Sequence, residues 1–148
     1  MNTGIWPRLS NNLSLVDAPG QAARENAWKN NRNSLMVGLP EQGILITQDL
    51  VYNRVHAMVG EKAFDSGTET LEKAKNESYN KVLPGHGAPG GKELYSQMQH
   101  YLSTARNVNG VATDGEDMKD KMIQAFPDYG GVGMLDQQKR FLFPGTKG

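Results

Sequence analysis

Two residues of this chain combine a ligand-type side chain with a position where ligands collect. Asp49 follows the apolar run Ile44-Leu45-Ile46-Thr47, and His86 follows Lys81-Val82-Leu83 inside the turn Pro84-Gly85-His86-Gly87-Ala88-Pro89-Gly90-Gly91. In α/β sheets functional groups gather beyond the C-terminal ends of strands, where the backbone is no longer consumed by the ladder. Glycine on either side of His86 lets the backbone turn tightly and clears space around the imidazole. A hard carboxylate and a borderline imidazole brought together are ligands for zinc, iron or manganese. His56, further along the segment that carries Asp49, is a third candidate whose direction the sequence leaves open.

Two ligands do not make a metal site. Structural zinc takes four protein ligands and catalytic zinc about three with a water, so Asp49 and His86 alone would hold an ion weakly. Each also has a plainer reading: Asp49 as a turn cap accepting backbone N–H groups, His86 as a loop histidine with its own hydrogen bonds. The chain has no cysteine, which removes disulfides, thiol nucleophiles and thiolate sites, so a metal would rest on His, Asp or Glu.

The elements that must position these residues are short. At 148 residues the chain fits one domain, long enough to bury a core. Sixteen basic residues against sixteen acidic ones leave no field to attract nucleic acid or an anionic membrane. No apolar run approaches the ~20 residues of a spanning helix, and the first residues lack the basic and apolar regions of a signal peptide. The chain therefore reads as soluble, with the cytoplasm as its default compartment.

Residues 1–33 form an irregular segment, with one short strand at Leu13–Val16 and a helical turn or two around Ala22, Ala23 and Ala27. Leu35–Leu39 and Ile44–Thr47, split by Pro40-Glu41-Gln42-Gly43, predict a β-hairpin. The second run is apolar without alternation, which predicts a strand covered on both faces. Phe64, Gly67, Leu71 and Ala74 recur at helical spacing between Glu61 and Glu77 and return the chain to a strand at Lys81–Leu83, a β-helix-β crossover. Leu94, Met98, Leu102 and Ala105 make one stripe of a second helix, with His100 off it. A capping box, Thr113-Asp114-Gly115-Glu116, opens a third helix with Met118, Met122, Ala125 and Phe126 on one face, closed by Pro127. The last helix, roughly Val132 to Phe143, is expected to be held by Met134, Leu135, Phe141 and Leu142.

Taken in order, Thr47-Gln48-Asp49-Leu50-Val51-Tyr52-Asn53-Arg54-Val55-His56, Val82-Leu83-Pro84-Gly85-His86-Gly87 and Glu93-Leu94-Tyr95 with Tyr101-Leu102 resemble the C-terminal half of the metallo-β-lactamase superfamily. The resemblance runs from about Leu35 to at least Arg106, and Phe126-Pro127-Asp128-Tyr129 is similar to a common ending. It implies an α/β fold that is half of an αββα sandwich: a short mixed sheet covered by three to four helices, formed by residues 34–148. It also places Asp49 on the family's metal-bridging aspartate and His86 on its last histidine ligand, with zinc or iron as the implied metal. His56 matches only a subset of members, in a pocket role or behind the ligands.

The departures weigh against a working metal centre. The His-x-His-x-Asp-His signature is absent, since the histidines are His56, His86 and His100. Arg24-Glu25-Asn26-Ala27-Trp28 stands where a further ligand histidine is expected, and Gln48 stands where glycine is common. Half a sandwich would also leave a sheet face bare, which predicts a homodimer that covers it, or cover by Ile5, Trp6, Leu9 and Leu13. Two functions compete: a non-catalytic half domain used in binding or assembly, and a metal-dependent hydrolase whose zinc or iron site is completed by a second subunit. A third reading takes the chain as a fragment with no evolved task. The ligand count favours the first.

Overall fold

The computed structural model describes residues 14–16, 36–59 and 64–145. Strands β1 (Ser14–Val16), β2 (Met36–Leu39), β3 (Ile44–Tyr52) and β4 (Lys81–His86) form one sheet in the order β1-β2-β3-β4. The first three are antiparallel and β4 runs parallel to β3, so the sheet is mixed. Helices α1 (Phe64–Asn76), α2 (Glu93–Val111), α3 (Gly115–Ala125) and α4 (Val132–Leu142) complete an α/β fold. The helical turns expected around Ala22 to Ala27, and the cover by Ile5, Trp6, Leu9 and Leu13, lie outside the described residues.

The hairpin forms because Pro40 starts a single 3-10 turn and Gly43 ends it at φ 64°, a conformation that suits glycine. Registered rows then cross the sheet. Gly38, Leu45 and Val82 stand in one row and are buried; Val37, Ile46 and Leu83 stand in the next and are half-buried. Leu45 and Val82 share a core with Phe64 and Leu71 of α1, Leu94, Tyr95 and Met98 of α2, Met118 and Met122 of α3, and Leu135 of α4. Val37, Leu39, Ile44, Ile46 and Leu83 take no part in it. The unbroken apolar run of β3 predicts a strand covered on both faces, and the cover is unequal: Leu45 is fully buried, Ile44 and Ile46 only in part. One face meets the helices and the other is half-buried.

The crossover through α1 is pinned to α2 at several points. Leu102 packs where a β-carbon on Gly67 would stand, Arg106 pairs with Asp65 at 2.6 Å, and Lys92 donates to the carbonyls of Lys75 and Glu77. That lysine satisfies acceptors near the C-terminal end of α1, where helix carbonyls lack partners within the helix. The expected stripe of Phe64, Gly67, Leu71 and Ala74 is buried, as is that of Leu94, Met98, Leu102 and Ala105.

Three details differ from the sequence reading. The cap of α3 is Asp114, one residue later than expected: its carboxylate accepts from the Asp117 N–H, while the Asp117 carboxylate accepts from the Thr113 N–H. Ala125 is exposed, leaving Met118, Met122 and Phe126 to face the core. In α4 the inward stripe is Leu135, Gln138 and Leu142, whereas Phe141 is 63% exposed. A glutamine at an inward helical position outranks a phenylalanine off the stripe because spacing fixes direction before hydrophobicity acts.

Candidate functional site

Asp49 does not sit in a loop after β3. The strand continues past it to Tyr52, after a break in register between Ile46 and Gln48. At the break Gln48 adopts φ 45°, left-handed backbone that a side chain rarely takes. The irregularity turns Gln48 and Asp49 to solvent, and Leu50, Val51 and Tyr52 return to the interior. Arg54, just beyond the strand, is the other non-glycine residue at positive φ among those described, at 55°. Strained backbone thus brackets the segment that presents the carboxylate, a placement common at functional sites.

The His86 loop is fitted against this segment. A β-carbon on Gly85 would lie 2.6 Å from the backbone of Gln48, and one on Gly87 would lie 2.0 Å from the Asn53 carbonyl oxygen. Gly87 also has φ 91°. Asn53 closes the joint, its N–H donating to the His86 carbonyl at 2.9 Å and its side-chain amide to the Ala88 carbonyl at 2.8 Å. Both glycines are there so that backbone can touch backbone.

This joint brings Asp49 and His86 together. Nε2 of His86 lies 3.3 Å from Oδ1 of Asp49, with the two side chains 38% and 53% exposed. Tyr52, in register with His86, stacks on the imidazole with ring centres 4.7 Å apart and planes 11° from parallel. Burial, then the charge of Asp49, push the Tyr52 phenol up to about 12; a hydrogen bond between the phenol and that carboxylate acts the same way, and a backbone bond at Met58 opposes them. Tyr52 therefore orients His86 through the stack of the two rings. Sequence reasoning missed it, although a parallel pairing of the two strand ends would have placed some β3 residue beside His86.

His56 sits in the interior instead. It is fully buried, with Nδ1 3.2 Å from the Tyr101 hydroxyl, which also accepts the Ala57 N–H at 3.1 Å. Its ring lies 6.0 Å from that of Tyr101 and 5.8 Å from that of Tyr129, in a cluster completed by Phe126. Nε2 of His56 is buried and has no hydrogen-bond partner among the described residues. Burial lowers the pKa of His56. His100 is exposed on α2, edge-on to Phe126.

Donor geometry tests whether a metal fits. Two ligand atoms bound at about 2.0–2.2 Å to one tetrahedral ion stand roughly 3.4 Å apart. The 3.3 Å between Nε2 and Oδ1 matches that edge and exceeds the length of about 2.7–2.9 Å typical of a charge-assisted N–H···O bond. Among the described residues no group of three or more His, Cys, Asp or Glu converges to hold an ion, so this carboxylate–imidazole contact does not by itself make a metal centre.

No family model and no curated protein matches the chain. Among solved structures, it is similar to a metallo-β-lactamase family protein from Thermus thermophilus, with 14% identity and a TM-score of 0.49 over 70% of this chain and 36% of the other. The chain thus spans little more than a third of that protein's length. No described helix is long and apolar enough to cross a membrane.

Proposed function

We propose that this chain is a non-catalytic, metallo-β-lactamase-like half domain that works in binding or assembly in the cytoplasm, and that it forms a homodimer through its half-buried sheet face. One observation carries the reading: Val37, Leu39, Ile44, Ile46 and Leu83 line a continuous apolar face that stays out of the helical core. Covering such a face with a second copy removes apolar surface from water, worth roughly 25 cal/mol per Å². Sedimentation at low micromolar concentration is expected to show a dimer, and Ile46→Glu a monomer that keeps its helical spectrum. A monomeric parent chain at tens of micromolar would refute the assembly.

A second reading is favoured by the 3.3 Å separation of Nε2 and Oδ1: a metal-dependent hydrolase whose zinc or iron site is completed by a second subunit. Asp49 and His86 would be ligands, and the ion would supply Lewis acidity. Metal analysis of protein purified without chelator separates the readings. Stable zinc or iron that disappears in Asp49→Ala or His86→Ala supports the second; its absence from the parent chain supports the first.

A further inference from the structure

Helices α3 and α4 are joined by a turn that is fastened to the exit of β3. Among the described residues the backbone ties between the two are a pair: the Gly130 N–H donates to the Arg54 carbonyl at 3.0 Å, and the His56 N–H donates to the Gly130 carbonyl at 2.9 Å. Gly131 follows at φ 73°, and a β-carbon on it would stand 2.6 Å from Cγ1 of Val55, so the turn lies flush against the exit segment. Phe126 and Tyr129 bring their rings from the same turn onto His56 and Tyr101. His56 is the member of this joint that can take up a proton near neutral pH. We propose that the joint is an acid-released latch: protonation of His56 frees the turn Pro127–Gly131 from the exit of β3 while the sheet, α1 and α2 keep their fold. The latch needs neither a metal nor a second copy, so it is independent of both readings above.

Protonation is poorly compensated at this site. It makes donors of both ring nitrogens, and while Nδ1 has the Tyr101 oxygen, Nε2 is buried without a partner among the described residues. A buried charge whose N–H lacks an acceptor is far less stable than the same charge in water. The titratable groups around the ring are phenols: Tyr101 from α2, Tyr129 from the turn and, beyond Tyr101, Tyr52 from β3, each pushed up by burial and so neutral. Arg54 and Asp128, on the two sides of the joint, face each other at 3.9 Å with side chains 68% and 81% exposed, and so compensate each other rather than the ring. His100 is exposed and meets the cluster at the edge of Phe126. Burial accordingly lowers the pKa of His56. Freed to water, the ring regains its ordinary value of 6.5, so opening becomes more favourable by up to about tenfold for each pH unit below it.

The test is amide hydrogen exchange of the full chain, followed residue by residue by NMR at several pH values from mildly acidic to neutral and corrected for intrinsic rates. The expected result is protection at the His56 and Gly130 amides that falls by up to about tenfold per pH unit on the acid side, while Leu71 in α1 and Leu102 in α2 keep theirs. His56→Phe and His56→Gln, neither of which gains a proton in this range, should each make protection at Gly130 independent of pH; the second retains a polar group for Tyr101 if the first does not fold. His100→Gln should leave the slope unchanged. Constant protection at Gly130 in the parent chain overturns the latch, and so does an equal loss at Leu71, which is global acid unfolding. A slope that survives in either His56 variant, or disappears in His100→Gln, overturns it as well.

Discussion

Gly87 sits at φ 91° with the Asn53 carbonyl oxygen 2.0 Å from the place of a β-carbon, so two independent constraints demand glycine there. Gly87→Ala is expected to destabilise the protein by about 2–4 kcal/mol in urea titration, through backbone strain and displacement of β3. It should also separate His86 from Asp49. His56 offers a second test at this scale. Burial holds its folded pKa below the ordinary 6.5, so the folded state stays neutral where the unfolded chain binds a proton. Its contribution to stability is complete above about pH 6.5 and is lost as pH falls from there toward the folded value. Urea midpoints between pH 5 and 7.5 should show that decline, and His56→Phe should flatten it. The pairing of Asp49 with His86 is legible in the sequence because both follow apolar runs in parallel strands. The burial of His56 is not, because its aromatic neighbours Tyr101, Phe126 and Tyr129 lie far along the chain.

Helix stripes are the most readable elements, since a 3.6-residue period is a property of adjacent residues alone. α1 and α2 bury the predicted positions, and Pro127 follows the end of α3 as expected. The misreadings fall where hydrophobicity is trusted above spacing. Phe141 looks like a core residue by type, yet Leu135, Gln138 and Leu142 define the inward line. Phe141→Ser should therefore change stability by no more than about 0.5 kcal/mol, whereas Leu142→Ala should cost about 2–4 kcal/mol, both measured by chemical denaturation. β3 runs longer than its composition predicts for a different reason. Its polar pair Gln48-Asp49 looks like a strand end, but the left-handed backbone at Gln48 absorbs the irregularity and the ladder resumes beyond it. Nothing in local composition announces a strand that breaks and recovers.

The whole molecule is a sheet with one face built into a core and the other face apolar and half-buried. The first face is foreseeable from the amphipathic helix that follows β3 and the three that follow β4; a second, apolar face is expected from the family resemblance, and the register shows which residues line it by setting Val37, Ile46 and Leu83 in one row. If a second copy covers that row, unfolding is coupled to dissociation, and the midpoint of thermal unfolding should rise with protein concentration between low micromolar and about a hundred micromolar. Ile46→Glu should abolish the dependence while leaving a cooperative transition. The dependence should persist in chelator, because the apolar face needs no ion.

The loop that carries His86 folds back so that Val82 and Gly90 exchange backbone hydrogen bonds at 2.8 and 3.0 Å, on the side of β4 away from β3. That exchange satisfies the Val82 backbone on the β4 border of the sheet, and covering an edge in this way is one of the means by which proteins protect it from strand addition. The turn that follows the candidate ligand thus also covers part of a sheet edge, and sequence changes in Pro89-Gly90-Gly91 would expose the Val82 backbone as well as disturb the turn.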